Sequence, residues 1–117
     1  MNEIKNFTDL LVWKKSHQFV LNAYRITKGF PSEEKFGIVS QMRRAAVSVP
    51  ANIAEGLKKR GVKDKANYYN IAQGSLNETT YYLILAKDLG YIKSNSTMID
   101  DANEIHRMLH SFIEGLK

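Results

Sequence analysis

Hydrophobic residues recur at helical spacing in four separate stretches of this chain. The second stretch is the most ordered. At 100° per residue, Ile38, Met42, Ala46, Val49, Ile53 and Leu57 fall on one apolar stripe. Gln41, Arg44, Ser48, Asn52 and Glu55 fall on a polar stripe roughly a quarter turn away. Ser32 is placed to cap this helix, and Glu33 and Glu34 suit its positive end. The pattern runs to about Arg60, with Gly61 as the stop. Pro50 predicts a kink near Val47 to Pro50, and not a break, because the stripe keeps phase across it.

The other three stretches differ in how much of the helix surface is apolar. The first helix starts at a Thr8 cap and ends near Lys28, where Gly29 suits a left-handed C′ residue and Pro31 prevents continuation. Val12, Trp13, Phe19, Val20, Ala23, Tyr24 and Ile26 cover close to half its cylinder, so burial on two sides is expected. The third helix runs from about Asp64 to Leu89 and stops at Gly90. Tyr68, Ala72, Ser75, Leu76, Thr79, Leu83 and Ala86 share one face, and Tyr69, Tyr81, Tyr82 and Leu85 widen it. Gly74 in mid-helix costs about 1 kcal/mol relative to alanine, which a close approach by a neighbouring helix would offset. The fourth helix opens on Thr97 and Asp100 as a capping-box pair. Its stripe of Met98, Ala102, Ile105, Leu109, Phe112, Ile113 and Leu116 faces one side only.

No stretch has strand period. The expected fold is all-α: one domain over residues 1–117, an antiparallel up-down-up-down four-helix bundle with helices near 9–28, 33–60, 64–89 and 97–116. Helices one and three carry more apolar surface than one small core needs, which points to assembly of copies. The row Gln41, Arg44, Ser48, Asn52, Glu55, with Trp13, Pro50, Gly74, Ser75 and Glu78, reads as a seam between helices or subunits.

Composition narrows the classes. The chain has 117 residues, 44% hydrophobic, and no cysteine, which excludes disulfides and thiolate metal sites and favours a reducing cytoplasm. MNEIKNFTDL lacks the basic stretch and apolar run of a signal peptide, and no run is long enough to cross a membrane. Net charge is +5. Lys58, Lys59, Arg60, Lys63 and Lys65 meet only Asp64 within their segment, and Lys14, Lys15, Arg43 and Arg44 add further cations. Such excess suits polyanions, nucleic acid before a membrane surface; the plainer reading is a solvated helix end.

Signals for catalysis are weak. His106, His110 and Glu114 form a straight row that spans roughly 12 Å, too long to meet at one ion, so surface histidines are the expected reading. His17 reads as a hydrogen-bonded residue at the core edge. No phosphate loop, dinucleotide fingerprint or nucleophile elbow is present. Ser75 and Glu78 match a capping box inside a long periodic segment, an accidental match. Glu55 and Glu78 could be a catalytic carboxylate pair, but pairing with Arg43, Arg44 or backbone groups across a helix contact is the expected role. No catalytic residue, metal or cofactor is expected.

Several runs carry a family resemblance: Phe7, Leu10, Val12 and Trp13; Tyr24 and Phe30-Pro31; Gln41, Arg43-Arg44-Ala45-Ala46, Ser48-Val49-Pro50 and Asn52-Ile53-Ala54-Glu55-Gly56; Ile71-Ala72, Gly74-Ser75-Leu76, Glu78 and Leu89-Gly90-Tyr91-Ile92. With these the chain resembles the small four-helix-bundle proteins encoded in intervening sequences of bacterial 23S rRNA genes, over nearly its whole length. The resemblance implies a left-handed bundle assembled as a ring-shaped homopentamer. It also implies similarity to the accessory variability determinant of diversity-generating retroelements, a basic pentameric barrel that binds nucleic acid and a reverse transcriptase. No catalytic residues come with the family. The expected function is therefore a non-enzymatic, pentameric, nucleic-acid-binding protein, with RNA before DNA as ligand, phosphate contacts and little sequence specificity. The alternative is a scaffold that docks a reverse transcriptase, polymerase or other protein.

Overall fold

In a computed structural model, which describes residues 6–116, the chain forms four α-helices. They are α1 (Leu11–Thr27), α2 (Ile38–Lys58), α3 (Val62–Asp88) and α4 (Ser96–Glu114), with single 3-10 turns at Phe7–Asp9 and Ser32–Glu34. No strand occurs among the described residues. The longest seam joins α2 to α3, and α1 and α4 complete the bundle by packing on each other and on that pair. Residues 1–5, half of the MNEIKNFTDL stretch whose pattern differs from a signal peptide, lie outside the described residues.

The stripes found in the sequence are the faces that meet. Ile38, Met42, Ala46, Val49 and Ile53 of α2 are buried, as are Ala72, Leu76, Leu83 and Ala86 of α3 and Met98, Ala102, Ile105 and Leu109 of α4. Phe19, Val12, Val20 and Ala23 bring α1 into the same core. Taking one of the Val, Leu, Ile, Phe or Met side chains among them out of water contributes about 1.5–3 kcal/mol, so these faces supply the drive for folding. Polar groups inside are satisfied by their own helices. Ser16 Oγ donates to the Val12 carbonyl at 2.8 Å, and Thr27 Oγ1 to the Ala23 carbonyl at 2.8 Å. Pro50 is buried within α2, which runs unbroken through it.

The helix ends depart from the sequence reading in four places. Thr8 does not cap α1. Asn6 caps the preceding 3-10 turn instead, accepting from the Thr8 amide while Asp9 accepts from the Asn6 amide. Gly29 is not left-handed; among the described residues Gly90 has the positive φ, at 81°. Ser32 lies in a 3-10 turn and α2 begins six residues later, at Ile38. Thr97 sits inside the first turn of α4, whose N-cap is Asn95, with no side-chain cap bond. Gly90, by contrast, ends α3 as the pattern suggested. The Tyr91 amide donates to the Ala86 carbonyl at 2.9 Å and the Gly90 amide to the Lys87 carbonyl at 3.0 Å, a closure that needs the left-handed residue between them.

Two helical glycines have opposite surroundings. A Cβ on Gly56 would lie 2.6 Å from Tyr69 Cε1 and 3.1 Å from Tyr68 Cβ, so glycine lets α3 approach the end of α2. Tyr69 cannot easily yield, being 2% exposed and set edge-on to Phe112 at 5.6 Å. Gly56→Ala should therefore destabilise the protein by about 1–3 kcal/mol despite the better helix propensity of alanine, as read by urea unfolding. At Gly74 a Cβ would meet nothing within 4 Å, so no helix of its own chain makes the close approach there.

Candidate nucleic-acid interface

The basic segment wraps the turn from α2 to α3, where three cations point to solvent and two are engaged. Lys58, Arg60 and Lys63 are exposed. Lys59 Nζ stands 5.2 Å from the centre of the Tyr68 ring. Lys65 turns back to the end of α2, donating to the Leu57 carbonyl at 2.8 Å and the Gly56 carbonyl at 3.3 Å. The Gly56 carbonyl also accepts from the Lys59 amide at 3.2 Å, whereas Lys65 supplies the bond to the Leu57 carbonyl; both carbonyls lie at the negative dipole end, so a cation there stabilises α2. Sequence counts charge but not commitment; the loss of Lys65 to a capping role follows from the short turn that brings it within reach.

The remaining cations divide in the same way. Lys14 is exposed, while Lys15 Nζ pairs with Glu104 at 2.8 Å, joining α1 to α4. The hydrogen bond raises the Lys15 pKa and lowers that of Glu104. Arg44 is exposed. Arg43 is half-buried: its Nε donates to Thr27 Oγ1 at 2.8 Å, its Nη2 to the Tyr24 carbonyl at 3.3 Å, and its guanidinium lies 4.5 Å from the Tyr24 ring centre. It thereby clamps the start of α2 to the end of α1.

Sequence reasoning missed Phe36. A helix from residue 33 would have carried it as one more helical position. The 3-10 turn at Ser32–Glu34 and the turn to Gly37 leave its ring 87% exposed instead. Glu34 anchors that turn by accepting from Tyr91 Oη at 2.7 Å, and the bond raises the tyrosine pKa. Phe36 stands at one side of a groove of about 520 Å³ whose lining also includes Tyr24, Lys35, Arg43 and Arg44. The adjacent signals Pro31 and Gly37, flanking a short polar run, were the available hint of a turn.

Within the chain, the polar row on α2 is bonded at its centre. Ser75 Oγ of α3 donates to Ser48 Oγ at 2.8 Å, and Asn52 Nδ2 donates to Ser48 Oγ at 2.9 Å and to the Ser48 carbonyl at 2.8 Å. Gln41, Arg44, Glu55 and Glu78 are exposed. Pairing of Glu55 or Glu78 with Arg43 or Arg44 does not occur; Arg43 is spent on α1, and neither carboxylate has a hydrogen bond or ion pair among the described residues. Trp13 is half-buried between Phe7, 5.2 Å away, and His17, whose ring stacks on it at 5.1 Å. His17 is thus an exposed stacking partner and not a core-edge residue. His106 contacts Asn77 Oδ1 at 2.9 Å and burial lowers its pKa, while His110 is exposed. Among the described residues no three His, Cys, Asp or Glu side chains gather as metal ligands, and no helix is long and apolar enough to cross a membrane.

Similarity to known proteins fits this arrangement of helices. No curated protein matches the chain. A solved structure from Bacteroides thetaiotaomicron, a protein of unknown function from the S23 ribosomal protein family, superimposes with a TM-score of 0.76. It is 30% identical, over 88% of this chain and 98% of that one. The model of the 23S rRNA-intervening sequence protein family matches residues 8–111, which take in all of α1, α2 and α3 and most of α4. The chain therefore belongs to the 23S rRNA-intervening sequence protein family.

Proposed function

We propose that this protein is a non-enzymatic, cytoplasmic, homo-oligomeric nucleic-acid-binding protein, a ring of antiparallel up-down-up-down bundles, five to the ring, that holds RNA through its phosphates with little sequence specificity. The observation that carries the reading is the turn between α2 and α3, where Lys58, Arg60 and Lys63 stand in solvent against one exposed carboxylate, Asp64. One chain contributes few phosphate contacts; repeated copies would add them. Assembly is supported by apolar side chains left in water. Leu21, Ile71, Tyr81 and Ile84 are each 44–57% exposed. Gly74, unused within its own chain, leaves the outer side of α3 flat enough for a second copy. RNA is preferred over DNA because the family takes its name from intervening sequences of 23S rRNA.

The test is a salt series. Binding of a labelled RNA, followed by anisotropy, should weaken linearly in log–log form, with a slope of about −0.7 for each phosphate neutralised on a single strand. Absent or salt-insensitive binding would refute the phosphate mechanism. Sedimentation of a compact single chain at micromolar concentration would refute the ring.

A further inference from the structure

The groove at the start of α2 joins two kinds of chemistry that the basic turn lacks. We propose that it is a single-strand site, in which an unpaired nucleobase stacks on Phe36 while its neighbouring phosphate lies on Arg43, Arg44 and Lys35. The inference rests on the nucleic-acid-binding reading and adds to it a preference for unpaired over duplex RNA.

Phe36 is the most exposed large hydrophobic residue described, at 87%, and its turn is held by the Glu34–Tyr91 bond. An aromatic face presented on an anchored turn loses little freedom when something covers it. Its surroundings select what that is. Lys35 Nζ stands 5.5 Å from the ring centre, and the groove beside it is lined by Arg43 and Arg44 with no carboxylate. Of the two nearest acidic residues in sequence, Glu34 is committed to Tyr91 and Glu33 is outside the lining. A second copy of the same groove would bring cation against cation. A nucleotide brings a flat base for the ring and an anion for the guanidinium groups.

Arg43 is the preorganised half of the site. Its Nε and Nη2 are tied to Thr27 and Tyr24, and the Tyr24 ring supports one face. The Nη1 edge is left to a ligand, with its direction already set, so little entropy is lost when a phosphate docks. The A-form duplex keeps its bases stacked on one another and cannot offer one to Phe36. Stacking is also largely indifferent to salt, whereas the phosphate contacts are not, so the two halves of the site separate in a salt series.

The experiment compares Phe36→Ala with the unaltered protein on a short labelled single-stranded RNA and on the same sequence as a blunt duplex. The single strand should lose about fivefold or more in affinity, with its salt slope unchanged, while duplex binding stays as it was. Phe36→Tyr should restore the single-strand affinity. Equal loss on both RNAs, or loss on neither, overturns the site while leaving nucleic-acid binding intact. A change in sedimentation of Phe36→Ala would assign the ring to a contact between copies and also overturn it. So would Phe36-dependent binding of polyglutamate, which would assign the groove to an acidic protein segment. If the unaltered protein binds no nucleic acid at all, the underlying functional reading fails first, and the two failures are told apart.

Discussion

Replacement of Phe19 by alanine should lower stability by about 3–5 kcal/mol, a fall in melting temperature of roughly 10–20 °C for a chain of this length. Phe19 is 1% exposed and lies, with Ile105, where α1 meets α4. That contact is one of the thinner seams of the bundle, since α2 and α3 share the longest one. A cavity there removes much of what holds α1 to α4, and the neighbours are fixed on their other sides by the rest of the core. Phe19→Leu, closer in volume, should cost about 1 kcal/mol and gives a measurable folded variant if alanine does not. Phe36→Ala supplies the control of identical chemistry. Its ring is 87% exposed, so its removal should change stability by no more than about 0.5 kcal/mol. All three should be compared at one protein concentration, because assembly would couple melting to concentration. Equal losses at Phe19 and Phe36 would show that burial in one chain does not describe the folded state.

The difference between these two phenylalanines also marks what the sequence could disclose. Phe19 sits in phase with Val12, Val20 and Ala23, and a phase is a property of one helix, so it can be read from one segment. The same holds for the α2 stripe and for the one-sided α4. Phe36 depends on where α2 begins. Ser32, Glu33 and Glu34 match a helix N-terminus, yet the same residues form a 3-10 turn, because both structures place acidic side chains near free amides. Tertiary contact decides between them here, through the Glu34–Tyr91 bond to a residue 57 positions away. Arg43 is another case. Its charge was legible, but its engagement with Thr27 and Tyr24 belongs to a second helix. Polar periodicity on α2 was visible in full, and Asn52 bonds Ser48 one turn away on the same helix, whereas the bond from Ser75 to Ser48 exists only because α3 lies beside it.

Joint replacement of Lys58, Arg60 and Lys63 by alanine should reduce RNA affinity on the order of 100-fold per engaged chain at 50 mM salt and flatten the salt slope by about 2. The choice of residues follows from what each cation does in the fold. These three side chains are exposed, so their loss should leave stability within about 0.5 kcal/mol. Lys65 is a different matter: truncation there would uncover the Leu57 carbonyl and loosen the end of α2, lowering affinity for reasons unrelated to phosphate. Lys59 is held over Tyr68 and would mix a packing change with a charge change. Circular dichroism and sedimentation should therefore match the unaltered protein while the anisotropy curve shifts. An unchanged RNA affinity would move the phosphate contacts away from this turn, leaving Lys14 and the Arg43–Arg44 groove as the surfaces on which binding must then depend.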